Sequence, residues 1–550
     1  MGIGGITFKT INGKRYAYYQ WTENGKQRSR RVKDDEFAEL AAKIAAEKAQ
    51  KASAQMMVAE SSIAYSAAPQ FKTDIKTGAL LVNFCESVAK WEKRECFGAL
   101  HDYIYGENND RILILYGLRR TGKTTLVRQA IGEMSGEMRA KTAFIQLSSR
   151  LTLADVNHDL KLLEKLGYRF VFIDEVTLLS DFIEGAALFS DIFAAGGMKV
   201  VLSGTDSLGF VFSEDEQLFD RCQLLHTTFI PYREFEHVLK VKGIDNFIEY
   251  GGTMSRLFAN KKSADDYVDS AIARNIQHSL KCYQHEGHFR SLQQLYDAGE
   301  LTSAINRIVE DVNHRFTIDV LTQKFLPPVT KRLKKLLLIR DKEEQSVNIS
   351  DAHRSEIKEY LDLLDLTCDI DVVNMSNLNE RKVRTVLSQP GLRYTQAAAL
   401  IQSLLLDDAF KNIPIAERKA IEERILDEIR GRMMEEIVLL ETKFARPGMQ
   451  VFQLQFAVGE FDMVVFDPVH ACCEIYEIKH SDKTAAEQCR HLLNPKKCAE
   501  TEFRYGRILS KNVIYRGAST TQQSVNYLNV EEYLTTGLAS RDSTLAPFNL

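Results

Sequence analysis

RILILY (Arg111–Tyr116) runs directly into GLRRTGKT (Gly117–Thr124) and then into TLVRQAIGEM (Thr125–Met134). An apolar, β-prone run, a loop of the form GxxxxGK[ST] and a helix-forming run, in that order, specify strand, phosphate-binding loop and helix. The glycines let backbone N–H groups wrap phosphates at a helix N-terminus. Gly117, Leu118, Arg119, Arg120, Thr121, Gly122, Lys123, Thr124 and Thr125 are therefore the expected ATP-binding residues. Lys123 reaches the β- and γ-phosphates, and Thr124 offers a hydroxyl to Mg²⁺.

Fifty residues on, FVFID (Phe170–Asp174) ends in Asp174-Glu175. Asp174 is expected in the Mg²⁺ shell, and Glu175 as the general base that polarises the attacking water. Further runs at Thr142–Leu147, Lys199–Gly204 and Leu224–Ile230 alternate with helical segments. Near-continuous apolar strands separated by helices indicate a parallel sheet buried on both faces. The strand at Lys199 ends in Ser203-Gly204-Thr205, where Ser203 or Thr205 can position water and sense the γ-phosphate. Arg221 is a candidate arginine finger for a neighbouring subunit, with an ordinary surface arginine as the equal alternative.

The chain has 550 residues, enough for three or four domains, with 45% hydrophobic and 27% charged residues. Those fractions exclude wholesale disorder, and no apolar stretch is long enough to span a membrane. Nine cysteines without a CxxC pair read as reduced thiols, and no secretory leader is evident, so a cytoplasmic chain is expected. Net charge is −4, yet residues 1–33 carry eight basic side chains against one acid. That segment is +7 and the remainder −11, which directs attention to nucleic acid. KRYAYYQW and KQRSRRV, separated by a turn centred on Asn24-Gly25, read as a hairpin, with a helix over Asp34–Lys51 after it. Its cations can meet phosphates while Tyr16, Tyr18, Tyr19 and Trp21 stack on bases or brace the sheet. The segment loosely resembles the short N-terminal sheets of some integrases and mobile-element proteins.

The last third has its own α/β pattern: a helix from Glu417 toward Glu441, a hairpin at Val451–Phe456 and Phe461–Phe466, then strands at Cys473–Lys479 and Asn512–Tyr515. Glu477 and Lys479 lie two apart in one strand and so share a face. Asp462 on the neighbouring strand converges with them, and Glu435 or Gln488 can join from flanking helices. Asp462, Glu477 and the Ile478 carbonyl make a hard-oxygen site for Mg²⁺, or Mn²⁺, with Lys479 placed to orient a water for phosphodiester attack.

LYGLRRTGKTTLVRQ, FVFIDEV, VVLSGTDS and FDRCQLLHTTFIPYREF together resemble the AAA-type ATPases called archaeal ATPases, over about residues 80–260. Where those proteins carry a proline after the glycine pair that follows the core, this chain reads Gly251-Gly252-Thr253-Met254. Glu435, Asp462, Glu477 and Lys479 match the pattern of PD-(D/E)XK, restriction-endonuclease-like domains, over about residues 390–520. The resemblances imply a multidomain α/β protein. Its layout is a basic β-rich head (1–60), a linker (61–85), an AAA-type ATPase core (86–240), a helical lid with a winged-helix-like part (241–390) and a nuclease-like domain (391–550). They also imply an ATP-hydrolysing, DNA-binding protein with a Mg²⁺-dependent deoxyribonuclease, of the kind used in bacterial or archaeal defence or by mobile elements. A homo-oligomer and a further protein partner are implied as well. The alternatives are a nucleotide-gated scaffold whose last domain does not cut, and an ATP-driven loader on DNA. His278, Cys282, His285 and His288 are too irregularly spaced for a zinc site.

Overall fold

The computed structural model describes residues 5–11, 14–23, 26–32, 36, 70–107, 110–205, 218, 220–253, 260–282, 289–309, 349–377, 382–406, 408–410 and 412–538. It divides into two compact units, Met1–Gln70 and Phe71–Leu550. The first holds β1 (Gly5–Ile11), β2 (Lys14–Glu23) and β3 (Lys26–Arg31) in an antiparallel sheet. The expected hairpin is β2–β3, and β1 adds a strand that the sequence pattern did not signal. Tyr18, Tyr19 and Trp21 pair with Arg31, Arg30 and Arg28 across the hairpin. The helix expected over Asp34–Lys51 lies almost wholly outside the described residues.

The second unit contains two sheets. The first comprises β4 (Asp74–Lys76), β5 (Ile112–Tyr116), β6 (Thr142–Gln146), β7 (Phe170–Asp174), β8 (Lys199–Gly204) and β9 (Cys222–His226). Their order is β4-β6-β7-β8-β5-β9, with β5 to β9 all parallel and β4 antiparallel at the edge. Ile112, Leu113, Ile114 and Leu115 are fully buried. At about 1.5–3 kcal/mol for each buried aliphatic side chain, this run anchors the sheet. Because β8 lies between β5 and β7, its end falls between the phosphate-binding loop and Asp174, at the carboxyl edge where open α/β sheets bind ligands. Strand β4 and helix Gly78–Glu86 fall within the stretch expected to be a linker. At three residues, β4 is too short to show an alternating pattern.

After β9 the described residues are mostly helical, among them Arg290–Asp297 and Asp351–Leu363. The second sheet follows, with β10 (Thr367–Asn374), β11 (Lys382–Leu387), β12 (Gln450–Gln455), β13 (Glu460–Asp467), β14 (Cys472–Lys479), β15 (Arg507–Tyr515), β16 (Thr520–Gln522) and β17 (Val525–Asn529). Its order is β11-β10-β12-β13-β14-β15-β17-β16. Within the part expected to be winged-helix-like, helix Asp351–Leu363 is followed by β10, which pairs in parallel with β12 and so widens this sheet. Helix Ile415–Ala445, the meander β12–β13–β14, helix Pro495–Tyr505 and β15 parallel to β14 form the centre of the domain.

The two sheets are joined through a buried cluster of ions. Arg94 is 4% exposed and donates to both carboxylate oxygens of Glu234, at 2.8 and 3.0 Å. It also donates to the Thr121 carbonyl at 3.0 Å and the Thr228 carbonyl at 3.1 Å. Burial alone would lower the Arg94 pKa, but Glu234 outweighs it and raises the value. Two residues before Glu234, the Tyr232 N–H donates to Glu441 at 2.7 Å, and Glu441 belongs to helix Ile415–Ala445. Removing one member of a buried pair strands its partner, at about 3–5 kcal/mol. Glu234→Gln should therefore lower the urea midpoint markedly. Lys141→Gln, which loses the exposed pair with Glu137, should cost under about 1 kcal/mol; equal shifts from the two variants would count against the buried pair as the anchor.

Candidate nucleotide site and carboxylate site

Gly117 and Gly122 carry the loop between β5 and helix Lys123–Glu133 at φ +138° and +100°. A Cβ on Gly117 would stand 2.2 Å from the Thr227 carbonyl oxygen, so any side chain there would expel the loop from its seat. Thr121 Oγ1 donates to the Leu118 carbonyl at 2.8 Å. Leu118 packs among the helices after the core, and Arg119 donates to the Ser270 carbonyl. Arg120 takes the left-handed φ of +71° that turns the loop, and Thr125 lies in the first turn of the helix. Lys123 is buried and donates to the Gly117 and Leu118 carbonyls at 2.7 and 2.9 Å. Burial lowers its pKa to about 8, against the opposing pull of Glu175 and Asp174.

Thr124 Oγ1 donates to Asp174 Oδ2 at 2.8 Å, and the Ser203 hydroxyl donates to Asp174 Oδ1. Glu175 sits at φ +59°, a strained conformation for a residue with a side chain. Burial raises its pKa, and Thr205 Oγ1 donates to its carboxylate at 3.3 Å. Sequence left Ser203 and Thr205 as alternatives, whereas the geometry uses both, on different carboxylates. The arrangement can hold a triphosphate, a divalent cation and a polarised water.

A family model described as an AAA domain matches residues 109–236. Over those residues the chain is similar to an AAA domain. Among solved structures, the chain is similar to the Orc1 protein of Aeropyrum pernix in complex with DNA, at 14% identity and TM-score 0.25, covering 61% of this chain and 97% of that one. It is also similar to the S. cerevisiae Hsp104–ADP complex, at 12% identity and TM-score 0.23, covering 64% and 50%. A third is the Thermotoga maritima RuvB Holliday junction branch migration motor, at 16% identity and TM-score 0.18, covering 53% and 69%. No curated protein matches the chain.

Outside the AAA core, Met463 pairs with Tyr476, and extending that register by one residue sets Asp462 across from Glu477. Asp462 Oδ2 accepts from the Ile478 N–H and from Lys479 Nζ, both at 2.7 Å. Lys479 Nζ also lies 2.7 Å from Glu477 Oε2. Glu477 is buried, and its other oxygen, Oε1, has no hydrogen-bond partner. Burial, then the Asp462 charge, pushes its pKa up to about 8. Burial opposes the Lys479 charge, but the carboxylates outweigh it and raise the pKa. Glu435 joins from helix Ile415–Ala445, paired with Arg432 and within electrostatic reach of Asp462 and Lys479; burial raises its pKa.

The weaker candidates lie elsewhere. Gln488 stays outside this site, because its amide caps its own turn at Ala485 and Lys483. His278 bonds to the Thr177 carbonyl at 2.9 Å, which makes it a structural tie; His285 and His288 lie outside the described residues, as does Met254. Arg221 pairs with Asp191 on the surface. Sequence reasoning missed Arg94 and Glu234, since neither belongs to a spaced motif.

Lys123→Ala should abolish ATP turnover, whereas Glu175→Gln should keep nucleotide affinity and lose hydrolysis. Turnover measured beside fluorescent-nucleotide binding separates the two, and wild-type hydrolysis by Glu175→Gln would remove Glu175 from the role of base.

Proposed function

We propose that this protein hydrolyses ATP through its AAA core, binds DNA, and carries a divalent-metal nuclease site built on Glu435, Asp462, Glu477 and Lys479. The observation that carries the nuclease reading is the unpartnered, buried Oε1 of Glu477 beside Asp462 and Lys479. A buried carboxylate oxygen without a donor is costly, and a hard cation would satisfy it. Among the described residues, no group of three or more His, Cys, Asp or Glu side chains is arranged as a complete metal cage. Mg²⁺ does not need one. It keeps several waters and takes only one or two carboxylates plus substrate phosphate. Asp462, Glu477 and the Ile478 carbonyl would hold the ion, which supplies Lewis acidity and a nucleophilic water when bound.

The chain's own residues do the rest. Lys479 offers the charge that favours a hydroxide over water near the phosphate. Glu435, held by Arg432 and with its pKa raised by burial, is placed to manage a proton beside the carboxylates. In the AAA core, Thr124 and Asp174 would hold the nucleotide's Mg²⁺, Lys123 the phosphates, and Glu175 the attacking water. The head supplies cations for phosphates: Arg28, Arg30 and Arg31 are exposed and paired across the strands with aromatic positions. No helix among the described residues is long and apolar enough to cross a membrane.

The scaffold reading draws on a specific observation too. Lys479 already bonds to both carboxylates, so one cation stands between them in the described state. Plasmid nicking decides between the two. In Mg²⁺, Asp462→Asn and Lys479→Ala should each lose at least about tenfold in cutting, the scale of one lost general-catalytic or electrostatic group, with ATP turnover unchanged. Nicking that survives both substitutions would favour the scaffold.

Removal of residues 1–35 should weaken DNA binding and flatten its salt dependence, by about 0.9 in log–log slope for each phosphate that the head no longer neutralises. An unchanged slope in the truncated protein would exclude the head from DNA binding.

A further inference from the structure

Beside the carboxylate site lies a buried cation with no carboxylate of its own. Lys497 is 7% exposed, in the first turn of helix Pro495–Tyr505. Its Nζ bonds to His491 Nδ1 at 2.9 Å and stands 4.7 Å above the centre of the Phe456 ring. Among the described residues it has no ion-pair partner. Lysines are seldom buried unless paired; nearby, the buried Arg393 pairs with Glu436, and the partly buried Arg446 and Lys479 pair with Glu474 and with Asp462 and Glu477. Lys497 resembles Lys123 instead, a buried ammonium held by neutral groups at a site for phosphate.

The pair is built into the edge of the site. Gly459, at φ +74°, lies in the turn between β12 and β13, three residues before Asp462. A Cβ there would come within 2.5 Å of the His491 ring and 3.0 Å of Lys497 Nζ, so glycine lets the turn close over both. Burial lowers the pKa of each, and the charge of Glu477 reaches Lys497 while those of Lys479 and Asp462 reach His491. Because Lys497 donates to Nδ1, His491 is neutral with its proton on Nε2. The Nε2–H and two ammonium protons remain to be given to an acceptor. A tetrahedral oxyanion matches that donor set.

We infer that Lys497 and His491 form a subsite for a backbone phosphate of the nucleic acid, next to the phosphodiester held at Asp462 and Glu477. The inference rests on the nuclease reading for its choice of anion, and the experiment separates the two. Full-length wild type, Lys497→Met, Lys497→Arg and His491→Ala would be compared in cutting of a short duplex with Mg²⁺, and in binding of the same duplex with Ca²⁺. Inorganic phosphate would be titrated as competitor. A lost charge-assisted hydrogen bond predicts KM and the Ca²⁺ Kd of Lys497→Met rising about 10- to 100-fold, with kcat changing less. Lys497→Arg should recover most of the loss, His491→Ala should show a smaller rise, and ATP turnover should not move. A wild type that cuts, with Lys497→Met unchanged in KM and Kd, would overturn the subsite and leave the nuclease reading intact. Duplex binding that depends on Lys497 without any cutting would keep the subsite and remove the nuclease. Competition by free phosphate that depends on Lys497 while duplex binding does not would make this a site for free phosphate and overturn the inference. A wild type that neither cuts nor binds the duplex would remove both.

Discussion

Arg94 settles where the nucleotide loop stands. Its guanidinium is taken out of water, a large cost repaid only because both oxygens of Glu234 and backbone carbonyls surround it. One of those carbonyls is Thr121 of the loop, and Glu234 lies in the helix that opens with Tyr232. The Tyr232 N–H is in turn held by Glu441. Glu435 lies six residues earlier in the same helix, about 9 Å along its axis at 1.5 Å per residue. A continuous set of buried polar contacts thus runs from the phosphate-binding loop to the element that carries one carboxylate of the second site. Burial raises the Glu441 pKa to about 7, so this junction carries an electrostatic cost of its own.

The two sites solve one problem in opposite ways. Each sets a lysine beside two acids, Lys123 buried and Lys479 partly so. Lys123 is held by loop carbonyls and burial lowers its pKa, while Asp174 and Glu175 are engaged with Thr124, Ser203 and Thr205. Lys479 is gripped directly by Asp462 and Glu477 and its pKa rises. The first lysine is poised for an incoming anion, whereas the second already serves as the counter-charge of its carboxylates.

Sequence carried the AAA core nearly whole, because its signals are local: five apolar runs, one glycine loop and an acidic pair at a strand end. Asp462, Glu477 and Lys479 were legible for the same reason, since period-two alternation puts residues two apart on one face. What escaped reading depends on tertiary placement. Arg94 and Glu234 are 140 residues apart and carry no motif. Strand β4 is three residues long, and β10 gave no sign that it would join β12 across the long helix that separates them. Gln488 failed because its amide found nearer partners in its own turn. His491 and Lys497 show as ordinary helix-entry residues until the Gly459 turn is folded over them.

Manganese binding tests the central claim, a metal site distinct from the nucleotide site, most directly. Calorimetric titration of Mn²⁺ into Lys123→Ala protein isolates the second site, because the nucleotide pocket no longer recruits a metal–ATP complex. One bound ion is predicted, lost when Glu477→Gln is added, since Asp462 and Glu477 would supply the two anionic ligands under the proposed function. No bound ion in Lys123→Ala, or an undiminished one after Glu477→Gln, would contradict a metal centre at these carboxylates.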